Sequence, residues 1–125
     1  MTKQQIADWS ARIALVLFWP AMAVVVWGEL APHAPDVLPG VSDKLQHVIA
    51  YFGLALLAAA ALKAPRAALA AAAALIALGG ALEILQAFTG RDPEILDEVA
   101  NSLGAVSGAF AGLMLRRLVA GVRQD

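Results

Sequence analysis

Polar residues interrupt an otherwise apolar chain at a few points, and the intervals between them are long enough to cross a membrane. Apolar runs extend over about residues 13–30, 45–62, 67–88 and 99–118. At about 1.5 Å per helical residue, each covers most of a hydrocarbon core roughly 30 Å thick. The pattern predicts an all-α, polytopic membrane protein, a four-transmembrane-helix bundle formed as one domain over residues 1–125. A basic start followed by an apolar stretch also fits a signal peptide. The first run, however, continues past Ala21 and Ala23 through Trp27, which favours an uncleaved span. Pro20 is expected to kink that span, Trp9 and Trp27 to anchor its ends, and mid-span Trp19 to pack within the bundle.

The connections carry their own signals. Pro32, Pro35, Pro39 and Gly40 predict an ordered, non-helical loop over 31–41. Ser42 is a candidate N-cap, with Asp43 in the first turn of the second span. Lys63-Ala64-Pro65-Arg66 reads as a tight basic turn. The third run is mostly alanine and leucine. In the fourth, Gly104, Gly108 and Gly112 recur every four residues, a face on which another helix backbone can approach closely.

Composition agrees with a membrane class. Hydrophobic residues make up 61% of the 125 residues and charged residues 15%, against about 45–50% and about 25% in soluble domains. There are no cysteines, which removes disulfides, thiol nucleophiles and thiolate metal sites. No basic patch supports nucleic-acid binding, and no glycine-rich phosphate loop or helix-spaced histidine pair is present. No cofactor is expected. Charge also predicts orientation. Four spans put Lys3, Arg12, Lys63, Arg66, Arg116, Arg117 and Arg123 on one side and only Lys44 and Arg91 on the other. The positive-inside rule then places both termini in the cytoplasm.

Depth gives the polar residues a common location. Asp43, His47 and Tyr51 are spaced i, i+4, i+8 and share a helix face near the outer end of the second span. Glu83 and Gln86 lie near the outer end of the third. Asp97 and Asn101 lie at the outer end of the fourth, on the face continued by Gly104 and Gly108. Arg91, Asp92, Glu94, Asp97 and Glu98 fill the acidic connector between those two spans. Ionisable groups within the membrane are costly and mark functional sites.

These residues also carry a resemblance. Asp43-Lys44-Leu45-Gln46-His47 followed by Tyr51-Phe52 resembles the first signature of the VanZ-like membrane proteins. Glu83-Ile84-Leu85-Gln86, then Arg91, Asp97, Asn101 and Gly104, resembles the second. The match in order and spacing covers roughly residues 40–112, with Pro93, Glu94 and Glu98 in a stretch expected to vary. The family name comes from a gene associated with resistance to teicoplanin, which acts outside the cell membrane. The resemblance implies a role in the bacterial envelope, at the cytoplasmic membrane.

Three function classes follow. In the first, an outward-facing pocket binds or modifies a membrane lipid or lipid-linked envelope component. His47 and Glu83 would act as a catalytic acid–base pair, with Lys44 and Arg91 holding an anionic headgroup. Asp43, Tyr51, Gln86, Asp97 and Asn101 would complete the ligand site. A metal variant using Asp43, His47, Glu83 and Asp97 would suit a hard divalent ion, but no metal is the leading expectation. The second class is a non-catalytic accessory subunit that docks a partner protein. The third is a small proton-coupled transporter, which would need to form a homo-oligomer to build a pathway. Its polar groups would then be expected nearer the midplane.

Overall fold

The structure is a computed structural model and describes residues 1–32 and 36–120; Pro35 and Arg123 lie outside the described residues. It is all-helical: α1 (Lys3–Leu30), α2 (Asp43–Ala61), α3 (Pro65–Gln86) and α4 (Ile95–Ala120). Each helix is long and apolar enough to cross a membrane.

The helices start earlier than hydropathy indicates, for local reasons. α1 begins ten residues before the apolar run, at a capping box. Gln5 N donates to Thr2 Oγ1 at 3.2 Å and Thr2 N donates to Gln5 Oε1 at 2.7 Å, which satisfies two orphan amides. α1 runs on through Pro20 as one helix. Ser42 caps α2 as expected, accepting from Leu45 N at 3.2 Å. Pro65 is the first residue of α3, not part of the turn before it. A proline there loses nothing, because its missing N–H would have no intrahelical partner. At the other end α3 stops at Gln86, where Arg91 N bonds back to the Gln86 carbonyl and Gly90 takes a φ of 80°. α4 starts at Ile95, so Asp97 and Glu98 belong to its first turn and not to a connector. Acidic side chains at a helix N-terminus are favoured by the helix dipole.

The glycine ladder organises the bundle. A Cβ on Gly104 would meet the Val48 carbonyl oxygen and Phe52 N, and one on Gly108 would meet the Phe52 carbonyl. One on Gly112 would meet Ala59 Cβ at 2.6 Å and the Leu56 carbonyl oxygen at 2.9 Å. Residue numbers rise together on both sides, so α2 and α4 run parallel with backbone against backbone. This is the most extensive helix pair of the four. Tyr51, Leu54, Ala55, Ala72, Leu75, Ala105 and Ala109 form the buried apolar core beside it.

α1 is the least buried of the four spans. Trp19 is 64% exposed, so the expected packing role is corrected. Its ring meets Phe18 edge-on, with centroids 5.2 Å apart, and otherwise faces outward. Lipid tails are as apolar as a core, so a large side chain gains little by turning inward, and small Ala14 takes the buried position. With Trp9 and Trp27 replaced by Phe, Trp19 fluorescence in bilayers is expected to be quenched by lipids carrying brominated acyl chains. Fluorescence indifferent to those lipids would contradict the outward placement.

Candidate ligand site in the polar layer

The parallel pair fixes where the polar groups gather. Tyr51 on α2, Gly79 on α3 and Asn101 on α4 come together, and Glu83 on α3 accepts from Glu94 N at 3.0 Å. α3 is therefore antiparallel to α4. The polar layer comprises the N-terminal ends of α2 and α4 and the C-terminal ends of α1 and α3. The buried polar side chains of the described residues are Glu29, His47, Glu83, Gln86, Asp97 and Asn101. Five of these six are sequence candidates. All four helices contribute.

His47 lies at the centre. Its Nδ1 is 2.9 Å from Asn101 Oδ1 and 3.9 Å from Glu29 Oε1. Its Nε2 is 3.7 Å from Asp97 Oδ2 and 3.8 Å from Asp43 Oδ1. Asn101 is fully buried, and its Nδ2 donates to Glu98 Oε2 at 3.3 Å. Glu98 is placed by Gly79 and Gly80 on α3, since a Cβ on Gly79 would stand 2.6 Å from Glu98 Oε2. The stretch expected to vary thus supplies working partners.

Glu83 is brought into the layer but does not pair with His47 directly. Its electrostatic neighbours are Asp97, His47 and Glu98, and its Oε1 is buried without a hydrogen bond. The carboxylate that faces the His47 ring at Nδ1 is Glu29, which sequence reasoning passed over. Glu29 is 6% exposed, and neither of its oxygens has a hydrogen-bond partner. The Tyr51 hydroxyl, also buried, faces Glu29 without reaching hydrogen-bond geometry. Buried polar atoms are nearly always satisfied, so three such side chains in one layer mark it as unusual.

The two cations have partners within the protein. Lys44 Nζ bonds Asp97 Oδ1 and Glu94 Oε2, and lies 3.6 Å from Asp43 Oδ2. Arg91 NH1 donates to the Gly28 carbonyl at 2.7 Å and the Glu29 carbonyl at 3.2 Å. Gln86 Nε2 also donates to the Glu29 carbonyl, at 3.0 Å. The last carbonyls of a helix lack intrahelical donors, and residue 32, which would serve Gly28, is a proline without an N–H. Arg91 and Gln86 therefore cap α1 and fasten it to the layer. Lys44 and Arg91, expected to hold an anionic headgroup, are thus each engaged by groups of the protein itself. Of the acids around the layer, Asp43, Glu94 and Asp97 are paired with Lys44.

Outside the layer, Gln46 Nε2 holds the preceding loop through Asp36 Oδ1 at 2.8 Å and the Val41 carbonyl at 3.0 Å. No family model, curated protein or solved structure matches the chain.

Proposed function

We propose that this chain is a VanZ-like integral protein of the bacterial cytoplasmic membrane, with both termini inside. Its polar layer, facing outward, binds or modifies a lipid or lipid-linked envelope component. The observation that carries this reading is the buried polar cluster drawn from all four helices, with carboxylate oxygens of Glu29 and Glu83 left unpartnered. An unmade buried hydrogen bond costs about 1–3 kcal/mol, so a donor reaching the layer would find acceptors there. The basic residues at the opposite end of the spans support the orientation. The resemblance around Asp43–Phe52 and Glu83–Gly104 supports the envelope role, including a link to glycopeptide resistance.

In this reading His47 is the centre of the ligand site, with Asp43 and Asp97 near one ring nitrogen and Glu29 and Asn101 near the other. Glu83 contributes charge from α3. The accessory-subunit reading has one observation in its favour: Phe88, Ile95 and Leu96, beside the layer, are largely exposed.

Native mass spectrometry of protein released from gentle detergent tests the proposal, with wild type beside Glu83→Gln. Glutamine keeps the acceptor for Glu94 N and removes only the charge. Wild type is expected to carry a lipid or lipid-linked mass that the variant loses at normal membrane levels. Equal retention by both, or an empty protein in both, would overturn the proposal.

A further inference from the structure

We propose that Asp43, His47 and Asp97 form a binding site for one divalent first-row cation, of which Mn²⁺ is the natural probe. The inference deepens the reading of the polar layer as a ligand site and rests on it. The three side chains can offer ligand atoms that all lie within 4.8 Å of one another. The separations of 3.7 and 3.8 Å from His47 Nε2 to Asp97 Oδ2 and Asp43 Oδ1 are too long for hydrogen bonds. They are right for a shared ion. Two metal–ligand bonds of about 2.1–2.2 Å span that distance when they meet at an angle of about 120°.

The histidine is prepared for this role from behind. Asn101 Nδ2 donates to Glu98 Oε2, which fixes the amide so that its Oδ1 faces His47 Nδ1. Nδ1 then carries the hydrogen, and in the neutral imidazole the lone pair lies on Nε2, the nitrogen nearer the two aspartates. Orientation of a ligating imidazole through its other nitrogen is a recurring feature of metal sites. His47 is 8% exposed, so Nε2 has little alternative in bulk water.

The carboxylates are divided in the same way. Lys44 faces Asp97 Oδ1 and Asp43 Oδ2, together with Glu94. The opposite oxygens, Asp97 Oδ2 and Asp43 Oδ1, are the ones directed at His47. One ammonium therefore neutralises the outer side of the pair and leaves the inner side for a second cation. Glu29 Oε1 lies 3.9 Å from Nδ1, on the side of the ring away from the two aspartates.

Rigidity comes from the glycine ladder. Asp43 and His47 sit on α2 and Asp97 on α4, and the contacts of Gly104 and Gly108 with Val48 and Phe52 hold those helices in register just below the ligands. Two carboxylates and one imidazole suit Mn²⁺ or Zn²⁺ better than softer ions. Three protein ligands leave coordination positions open to water or to an oxygen of a bound headgroup. A layer rich in carboxylates could then hold an anionic group through the ion.

Metal-stripped protein in detergent is titrated with MnCl₂, and free Mn²⁺ is followed by electron paramagnetic resonance. One equivalent per chain is expected to bind. Asp43→Asn, which alters an exposed side chain, and His47→Gln are each expected to weaken binding at least tenfold, while exposed Asp92→Asn leaves it unchanged. No binding by wild type up to millimolar Mn²⁺, or wild-type affinity in Asp43→Asn, would overturn the site. The protein is delipidated before this titration and no lipid is added. Loss of the metal site and loss of lipid capture by mass spectrometry are therefore separate results.

Discussion

Gly108→Ala is expected to lower the stability of the bundle by about 1–3 kcal/mol or more, while Gly53→Ala, on the partner helix, leaves it unchanged or raises it. The two substitutions add the same methyl group. At Gly53 nothing lies within 4 Å of the new Cβ, so the usual helical preference for alanine, roughly 0.5–1 kcal/mol, is all that changes. At Gly108 the Cβ would press on the Phe52 backbone. A backbone cannot swing aside as a side chain can, so α2 and α4 must separate along their whole seam. Forced overpacking of this kind typically costs about 1–3 kcal/mol. Unfolding by SDS in mixed micelles, followed by tryptophan fluorescence, reads the difference directly. Indistinguishable midpoints for the two variants would show that the helices do not meet backbone to backbone.

Asn101→Leu is the second large effect. Leucine is close in size and would fill the space, yet it leaves buried His47 Nδ1 without its acceptor and removes the donor to half-buried Glu98 Oε2. Leaving a buried partner unsatisfied costs about 1–3 kcal/mol, and a loss in that range is expected, carried chiefly by His47. The same change frees the histidine tautomer. Mn²⁺ affinity should therefore fall by roughly 10–100-fold, the usual effect of losing an outer-shell partner, even though Asn101 touches no ion. Retained stability together with retained affinity in this variant would remove Asn101 from both roles.

The four spans were legible because hydropathy reports which residues avoid water, and every span is found. Their ends were not, because ends are set by hydrogen bonding. The Thr2–Gln5 capping box and Pro65 are visible in the sequence but carry no hydropathy signal. The glycine ladder was legible from spacing alone. Among the site residues, His47, Glu83, Gln86, Asp97 and Asn101 were placed in the right layer by depth and face. Glu29 was absorbed into the first apolar run, although a carboxylate one turn from a proline-rich loop was a usable signal. Pairing was harder. With so many acids near one end, charge complementarity does not say which of them Lys44 will take. Arg91 is explained by something sequence-level charge counting ignores, the carbonyls that a following proline leaves bare.

The parallel seam has a mechanical consequence. Asp43, His47, Asp97 and Asn101 ride on two helices whose backbones touch, and that half of the layer behaves as a frame. Glu29 rides on α1, the helix with least burial, which is fastened at its end chiefly by Arg91 and Gln86 reaching its carbonyls. Side-chain latches can be released without disturbing a packed interface; a backbone seam cannot. On the proposed function, α1 is the helix expected to move when the layer admits a headgroup, while the histidine side stays still.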